Sequence, residues 1–148
     1  MKKLTWIIVV LSLFLMGCGQ EELTGDALIA KKHIERLDYD VLSYEGEVQE
    51  YQLTEELLSD MPYSVLWGLP GNNPEPYMNK SIVIHKFKVK NHPLDHWKCC
   101  GVKANGKVYA FVHMVEGKVA GGSSYPVLSK WEDDLGGGYW SLDGKTND

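Results

Sequence analysis

The spacing of apolar residues changes along the chain, and the first regular stretch has the period of a helix. Between residues 27 and 41 apolar side chains recur at steps of three and four, as on one helix face (Ala27, Ala30, Ile34, Leu37 and Val41). Thr24 or Asp26 could cap the start of this helix. The polar residues at 38–40 end it, so that Val41 begins the next element.

Strict alternation between residues 81 and 91 is typical of a half-buried strand. One face carries Val83, His85, Phe87 and Val89, and the other carries Ile84, Lys86, Lys88 and Lys90. Residues 40–52 carry apolar residues between polar ones (Val41, Tyr44, Val48 and Tyr51), which we interpret as another strand with a candidate bulge at Gly46. We therefore expect two strands, of which the second has a lysine-lined surface.

Turn signals divide the next part of the chain into three short strands. Asn105-Gly106 predicts a hairpin between a strand near 100–104 and one at 107–115. The strand at 107–115 is apolar on both faces, so we expect it at the centre of the sheet. Glu116-Gly117 predicts the next turn, and the strand that starts at residue 118 should end at Pro126.

Between the first two strands, Thr54-Glu55-Glu56 predicts a helix start, and Pro62 limits this region to short helical pieces. The whole pattern predicts an α+β fold: an antiparallel sheet of four or five strands, with an N-terminal helix and a second short helix on one face. We expect a single domain over residues 25–127, followed by a Gly-rich acidic tail at 128–148 that packs loosely.

The N-terminus has the layout of a secretory signal. Lys2 and Lys3 precede an apolar run at residues 4–16 that is too short to span a bilayer. The segment Leu15-Met16-Gly17-Cys18 resembles the lipobox of bacterial lipoproteins. We expect residues 1–17 to be a signal peptide, Cys18 to carry a diacylglycerol, and residues 18–24 to form a polar tether.

The net charge of the processed chain limits the kinds of partner that it can bind. Loss of Lys2 and Lys3 leaves 13 basic and 20 acidic residues, a net charge of −7. An acidic domain lacks the electrostatic footprint of a nucleic-acid binder and is not attracted to an anionic bilayer. Its membrane attachment would therefore come from the two lipid chains on Cys18, at the extracellular face of the cell membrane.

The adjacent pair Cys99-Cys100 has no distant cysteine to bond with once Cys18 is lipidated. Neighbouring Cα atoms are about 3.8 Å apart, which is short for ordinary disulfide geometry. We expect two thiols, with a disulfide between neighbours as the alternative.

The densest group of potential metal ligands surrounds this pair (His92, Asp95, His96, Cys99 and Cys100). Imidazole, carboxylate and thiolate could bind zinc or copper, although the spacing matches no standard site. The segment at residues 92–95 also has the composition of an ordinary turn, which is the interpretation that we favour.

Nucleophilic catalysis has little support in the sequence. Gly121 and Gly122 precede Ser123 and Ser124, but the G-x-S-x-G pattern is absent, as are phosphate-binding and dinucleotide-binding motifs. The glycines fit a bulge or a close backbone approach. His85 and His113 lie on strands, where a lone histidine is usually a packing residue. We expect no catalytic residues and no cofactor.

Aromatic residues at or near loops allow two interpretations (Trp67, Tyr77, Trp97, Tyr125, Trp131, Tyr139 and Trp140). They could form a binding site for a peptide or a glycan, or they could close the core of a small sheet domain.

Four segments together resemble a family of small Gram-positive lipoproteins whose shared domain has no assigned function. They are the signal with Gly17-Cys18, the helix at 34–41, the run at 90–95, and the segment at 117–126, which ends in a Gly-Gly-x-Ser-aromatic-Pro motif. The resemblance implies a membrane-anchored extracellular protein and brings no catalytic or ligand residues. We expect a non-catalytic module that binds an envelope peptide, glycan or protein. The alternative is a surface lipoprotein that binds zinc or copper.

Overall fold

The computed structural model describes residues 22–129 and 139–147. The predicted signal peptide and the predicted lipid site at Cys18 lie outside these residues, as does Trp131. The elements in chain order are α1 Gly25–Arg36, β1 Asp40–Gln52, α2 Glu55–Ser59, α3 Tyr63–Gly68, a 3₁₀ turn at Glu75–Tyr77, β2 Ser81–Lys90, β3 Lys98–Cys99, β4 Val102–Val115 and β5 Lys118–Leu128.

The strands form one antiparallel sheet, which confirms the predicted α+β class. β1, β2, β4 and β5 pair in that order, and the two-residue β3 pairs with the first residues of β4. The central position of the apolar strand is confirmed, because β4 pairs with both β2 and β5. The turn at Glu116-Gly117 is confirmed, and β1 has a register irregularity between Tyr44 and Gly46.

The predicted hairpin at Asn105-Gly106 is wrong. Both residues lie inside β4, where the pairing with β5 is irregular between Ala104 and Val108. Gly106 has a φ of +83°, and its N–H donates to the carbonyl of Asp95 at 3.0 Å. The glycine therefore supplies a bulge rather than a turn. The hairpin lies at Cys100-Gly101, where both residues have positive φ, as a tight two-residue turn requires.

The predicted end of the last strand at Pro126 is also wrong, because β5 continues through Pro126 to Leu128. Pro126 lies opposite Val108. An edge strand needs ladder donors on one side only, so a residue without an N–H is tolerated there.

Helix α1 covers one face of the sheet. Ala30 and Ile34 are fully buried against Phe87, Ala110 and Val112. The helix ends at Arg36, and the positive φ of Asp38 turns the chain into β1. Thr24 occupies the N-cap position, but its side chain makes no capping hydrogen bond.

The short helices lie on the opposite face, which differs in detail from the predicted arrangement. Thr54 caps α2 by accepting a hydrogen bond from the Leu57 N–H at 3.2 Å. Trp67 of α3 is buried, and its ring lies 5.4 Å from that of His113. Because successive strand residues point to opposite faces, His113 faces away from Val112 and α1. A second core cluster forms here (Leu53, Trp67, Ile82, Val115 and Ala120).

Residues 139–147 pack against β5, so for this part of the chain the expected loose tail is wrong. The Ser124 N–H donates to the Trp140 carbonyl at 2.8 Å, and the Ser124 hydroxyl donates to the Ser141 carbonyl at 2.7 Å. The Trp140 ring meets Trp97 edge to face, with the ring centroids 5.5 Å apart. The rest of the predicted tail, except residues 128 and 129, lies outside the described residues.

Candidate ligand-binding face

Alternation along β4 places Tyr109, Phe111 and His113 on the face that α3 covers only at one end. Tyr125 pairs with Tyr109 across the strands, and Tyr139, a residue that is 38% exposed, contributes a further ring. We call the half-exposed set Tyr109, Phe111, Tyr125 and Tyr139 the aromatic face. Rings on the outside of a sheet offer flat apolar surface together with phenolic hydroxyl groups.

Two lysines of β2 lie over these rings. The Lys86 ammonium is 3.9 Å from the centroid of the Tyr109 ring and 5.6 Å from that of Phe111. The Lys88 ammonium lies 5.4 Å from the Tyr109 centroid and 3.9 Å from the Glu45 carboxylate. These are cation–π arrangements, and they add positive charge at the border of the aromatic face.

A cavity of about 250 Å³ lies where α3 meets the sheet. The residues around it include Leu66 of α3, Phe111 and His113 of β4, and Ser123 of β5. Tyr125 and Tyr139 line this cavity and also belong to the aromatic face. We call this space the His113 cavity; it continues the aromatic face toward the interior.

The imidazole of His113 is fully buried, and neither ring nitrogen has a hydrogen-bond partner among the described residues. Burial lowers the pKa of His113 to about 4, because the charged form cannot be solvated there. The ring is therefore neutral at pH 7 and offers one donor and one acceptor. Buried polar groups nearly always have a hydrogen-bond partner. The imidazole of His113 is an exception, and such exceptions are often found at functional sites.

The predicted metal ligands do not come together in one site in the described structure. His92 is buried, its Nδ1 accepts the Leu94 N–H at 3.1 Å, and its Nε2 lies 2.9 Å from the Leu142 carbonyl. This network assigns the proton to Nε2, so that His92 joins the loop after β2 to the C-terminal segment. Burial lowers the pKa of His92, which favours this neutral form.

The other four candidates lie near the surface. His96 is 91% exposed, and its Nε2 lies 3.5 Å from Asp95 Oδ1. Cys99 and Cys100 are joined to each other in a disulfide, so the expectation of two thiols is wrong. Within residues 22–129 and 139–147 no three His, Cys, Asp or Glu side chains form a group that could hold a metal ion.

His85 and His113 do not face each other. His113 pairs with Ile84, and His85 pairs with Val112, so the two imidazoles point to opposite faces of the sheet. His85 Nδ1 lies 2.8 Å from the Tyr44 hydroxyl. His85 is thus a packed residue of the face that α1 covers.

The glycine pair has a structural role that depends on a side chain that the sequence did not single out, Asn72. Its Oδ1 accepts the Gly122 N–H at 2.9 Å, and its Nδ2 donates to the Gly122 carbonyl at 3.1 Å. The amide therefore pairs with the edge of β5 as a neighbouring strand would. A Cβ on Gly122 would lie 2.7 Å from Leu142 Cγ, which is too close for a side chain. Ser124 bonds the Ser141 carbonyl and is not poised as a nucleophile.

The structure divides the aromatic residues that the sequence singled out into a packed group and a partly exposed group. Trp67, Tyr77, Trp97 and Trp140 pack in or around the cores, whereas Tyr125 and Tyr139 belong to the aromatic face. Sequence reasoning missed Tyr109 and Phe111 as surface residues. Their alternate positions in β4 were a usable signal, but the apolar residues on both sides of the strand indicated full burial.

Comparison of the chain with protein-family models, with curated proteins and with solved structures found no match. Among the described helices, none combines the length and the apolar character needed to cross a bilayer.

Proposed function

We propose that this protein is a lipid-anchored extracellular binding module that engages an envelope partner through its aromatic face. The observation that carries the proposal is the group of half-exposed rings at Tyr109, Phe111, Tyr125 and Tyr139, bordered by the ammonium groups of Lys86 and Lys88. Aromatic side chains have few rotatable bonds, so on a rigid sheet they lose little conformational entropy when a partner binds.

Binding is favoured over catalysis by the chemistry at the deepest point of this face. His113 and Ser123 both line the His113 cavity, yet no hydrogen bond joins the imidazole of His113 to any described residue. A nucleophilic serine needs a base in contact with its hydroxyl, and a base works best with a pKa near the ambient pH. A buried imidazole with a pKa of about 4 is a weak base at pH 7.

The membrane attachment in this proposal depends on the sequence, with Gly17-Cys18 as the processing and lipidation site. The described chain begins at Glu22, only four residues after Cys18. Four residues span at most about 14 Å, so the anchored domain would lie close to the bilayer. A partner in the membrane or in the adjacent wall would be within its reach.

Position-specific photo-crosslinking in intact cells tests the proposal. A photoreactive phenylalanine analogue at Tyr109 places the probe in the aromatic face, and the same analogue at exposed Glu35 of α1 is the matched control. We expect one dominant adduct from position 109 and none of the same mass from position 35. No adduct from position 109, or the same adducts from both positions, would refute the proposal.

A further inference from the structure

The disulfide between Cys99 and Cys100 lies at the tip of the β3–β4 hairpin and is open to solvent. Both cysteines are exposed, and both line an open cavity of about 390 Å³. The residues that line this cavity are all different from those of the aromatic face and the His113 cavity. A thiol from outside the protein can therefore reach the disulfide.

The disulfide is poorly suited to a structural role. It joins neighbouring residues, so it closes the shortest possible loop, and the stabilisation that a disulfide supplies grows with the loop that it closes. Backbone hydrogen bonds hold the hairpin without it. The Ala104 N–H donates to the Trp97 carbonyl at 2.7 Å, and the Gly106 N–H donates to the Asp95 carbonyl at 3.0 Å. The fold can therefore accommodate both the oxidised and the reduced pair.

The position of the two cysteines also favours ready reduction. The Cα atoms of a disulfide are usually about 4.4–6.8 Å apart, and a shorter separation makes the bond easier to reduce. Because Cys99 and Cys100 are neighbours, their Cα atoms are only 3.8 Å apart. Disulfides that are exposed or constrained in this way are typically the labile, regulatory or catalytic ones.

The charges beside the disulfide favour its cleavage. Lys98 and Lys103 pair with each other across β3 and β4, and both line the cavity together with the two cysteines. None of the described residues that line it is Asp or Glu. Cleavage of a disulfide releases a thiolate, and nearby ammonium groups stabilise a thiolate.

We propose that Cys99 and Cys100 form a redox site that accepts two electrons from a dithiol of a partner protein, with Lys98 and Lys103 stabilising the thiolates. A thiolate of the dithiol attacks the Sγ of one cysteine and forms a mixed disulfide. The Cys99–Cys100 bond breaks, and its electron pair remains on the other sulfur.

A second exchange completes the reaction. The remaining thiolate of the partner attacks its own sulfur in the mixed disulfide, which releases the reduced cysteine pair and leaves the partner oxidised as a disulfide. The two thiol protons of the partner pass to the two cysteine thiolates. This inference does not depend on the proposed function, because the aromatic face takes no part in the exchange.

Glutathione buffers test the site in the full chain, held in detergent. The thiols are alkylated after an acid quench, and trypsin, which cleaves after Lys98 and Lys103, releases both cysteines in a peptide without Cys18. Structural disulfides resist reduction by glutathione. We expect excess reduced glutathione to reduce most of the pair while the tryptophan fluorescence stays unchanged, and oxidised glutathione to restore the disulfide.

Charge variants test the role of the two lysines. Lys98→Gln and Lys103→Gln should each slow the reduction about threefold, because each removes one positive charge near the leaving thiolate. Lys118→Gln is the matched control: it removes the same charge at an exposed position of β5, opposite Val115 at the other end of β4. It should be reduced at the rate of the wild type.

Single-cysteine variants in the native host test the class of partner. Cys99→Ser and Cys100→Ser each leave one thiol, and oxidation with a partner dithiol should stop at the mixed disulfide. We expect at least one of them to carry a disulfide-linked peptide that contains a second cysteine. Cys99→Ala combined with Cys100→Ala should carry none.

The redox site is overturned if the pair stays oxidised in excess reduced glutathione, or if its reduction unfolds the chain as the loss of a structural bond would. Equal reduction rates for Lys98→Gln, Lys103→Gln and Lys118→Gln would overturn the role of the lysines. The absence of a linked peptide with a second cysteine from both single-cysteine variants would overturn the dithiol partner.

Discussion

At the scale of single residues, contacts with residues that are distant in sequence determine which residue type several positions require. A Cβ on Gly122 would meet the Phe111 carbonyl oxygen and Leu142, so only glycine leaves room for both, and the Asn72 amide bonds the Gly122 backbone. The sequence indicated a geometric need for two glycines in a row. It could not indicate Asn72, because the two residues are 50 positions apart and no periodic pattern joins them.

Gly122→Val should lower the free energy of unfolding by about 3 kcal/mol, since the added side chain overlaps Leu142 and the backbone of Phe111. Gly68→Ala is a suitable control, because its Cβ would meet only the flexible Asn147 side chain, at 3.3 Å. Urea unfolding followed by tryptophan fluorescence measures both. Equal stability of Gly122→Val and the wild type would contradict the packing described here.

His113 should make the fold sensitive to acid. Burial lowers its pKa from 6.5 to about 4, so the unfolded chain binds this proton more readily than the folded chain. The stabilising contribution is complete above pH 6.5 and is lost as the pH falls from 6.5 toward 4. At pH 4.5 the loss from this residue is about 2.5 kcal/mol.

The loss is measured as the difference in unfolding free energy between pH 7.5 and pH 4.5, two conditions that bracket most of this titration. His113→Phe should lose clearly less stability than the wild type over this interval, whereas His96→Ala, at an exposed imidazole, should follow the wild type. If the unfolding free energies of the wild type and His113→Phe fell equally with pH, His113 would be excluded as the source of the acid sensitivity.

At the scale of elements, the two edges of the sheet are protected differently. The outer edge of β5 is paired with the Asn72 amide and with Trp140, whereas β1 carries register shifts and several glutamates. Irregular and charged edges discourage pairing with another chain. Element types were largely predictable, because the periods of three to four and of two appear clearly in the sequence.

Turns were less predictable than strands. Asn105-Gly106 has the composition of a hairpin turn, but the Gly106 N–H and the Trp97 and Asp95 carbonyls keep it within β4 as a bulge. The actual turn contains Cys100, a residue with no particular preference for positive φ. Local composition could not indicate which of these two positions forms the turn, because hydrogen bonds between distant parts of the chain determine the position of the turn.

Ser124→Ala should destabilise the protein by about 1 kcal/mol, because it removes one of two donors to the buried Ser141 carbonyl and leaves the Gly144 N–H as the other. Ser129→Ala is the matched control, since its hydroxyl bonds the Lys103 carbonyl at an exposed position, and its cost should stay below about 0.5 kcal/mol.

Amide hydrogen exchange locates the effect of Ser124→Ala. The N–H groups of Gly144 and Lys145 bond within the C-terminal segment, to Ser141. We expect both to exchange faster in Ser124→Ala and to remain as in the wild type in Ser129→Ala. Unchanged exchange together with unchanged stability would show that Ser124 does not hold the segment.

At the scale of the whole molecule, the sheet is covered by α1 on one face and by α2 and α3 at one end of the other. The uncovered part of that second face is the aromatic face. The sequence predicted a lysine-lined wet surface on β2, which is the border of this region. It did not predict the cavity, because α3 and β4 are joined only by tertiary packing.

Anchoring is tested by Cys18→Ala in the native host. We expect the wild type in the membrane fraction and the variant unprocessed or released, since the diacylglycerol would be missing. Fractionation and the mass of the mature N-terminus measure both outcomes. Normal processing of the variant together with membrane retention would contradict lipidation at Cys18.

The central claim, that the aromatic face is occupied in the native envelope, is tested most directly by covalent footprinting with mass spectrometry. Lysine and tyrosine labelling rates are compared between intact cells and the purified full chain. We predict slower labelling in cells at Lys86, Lys88 and Tyr139, with an unchanged rate at Lys32 on α1. Equal rates at all four residues in the two preparations would contradict the claim.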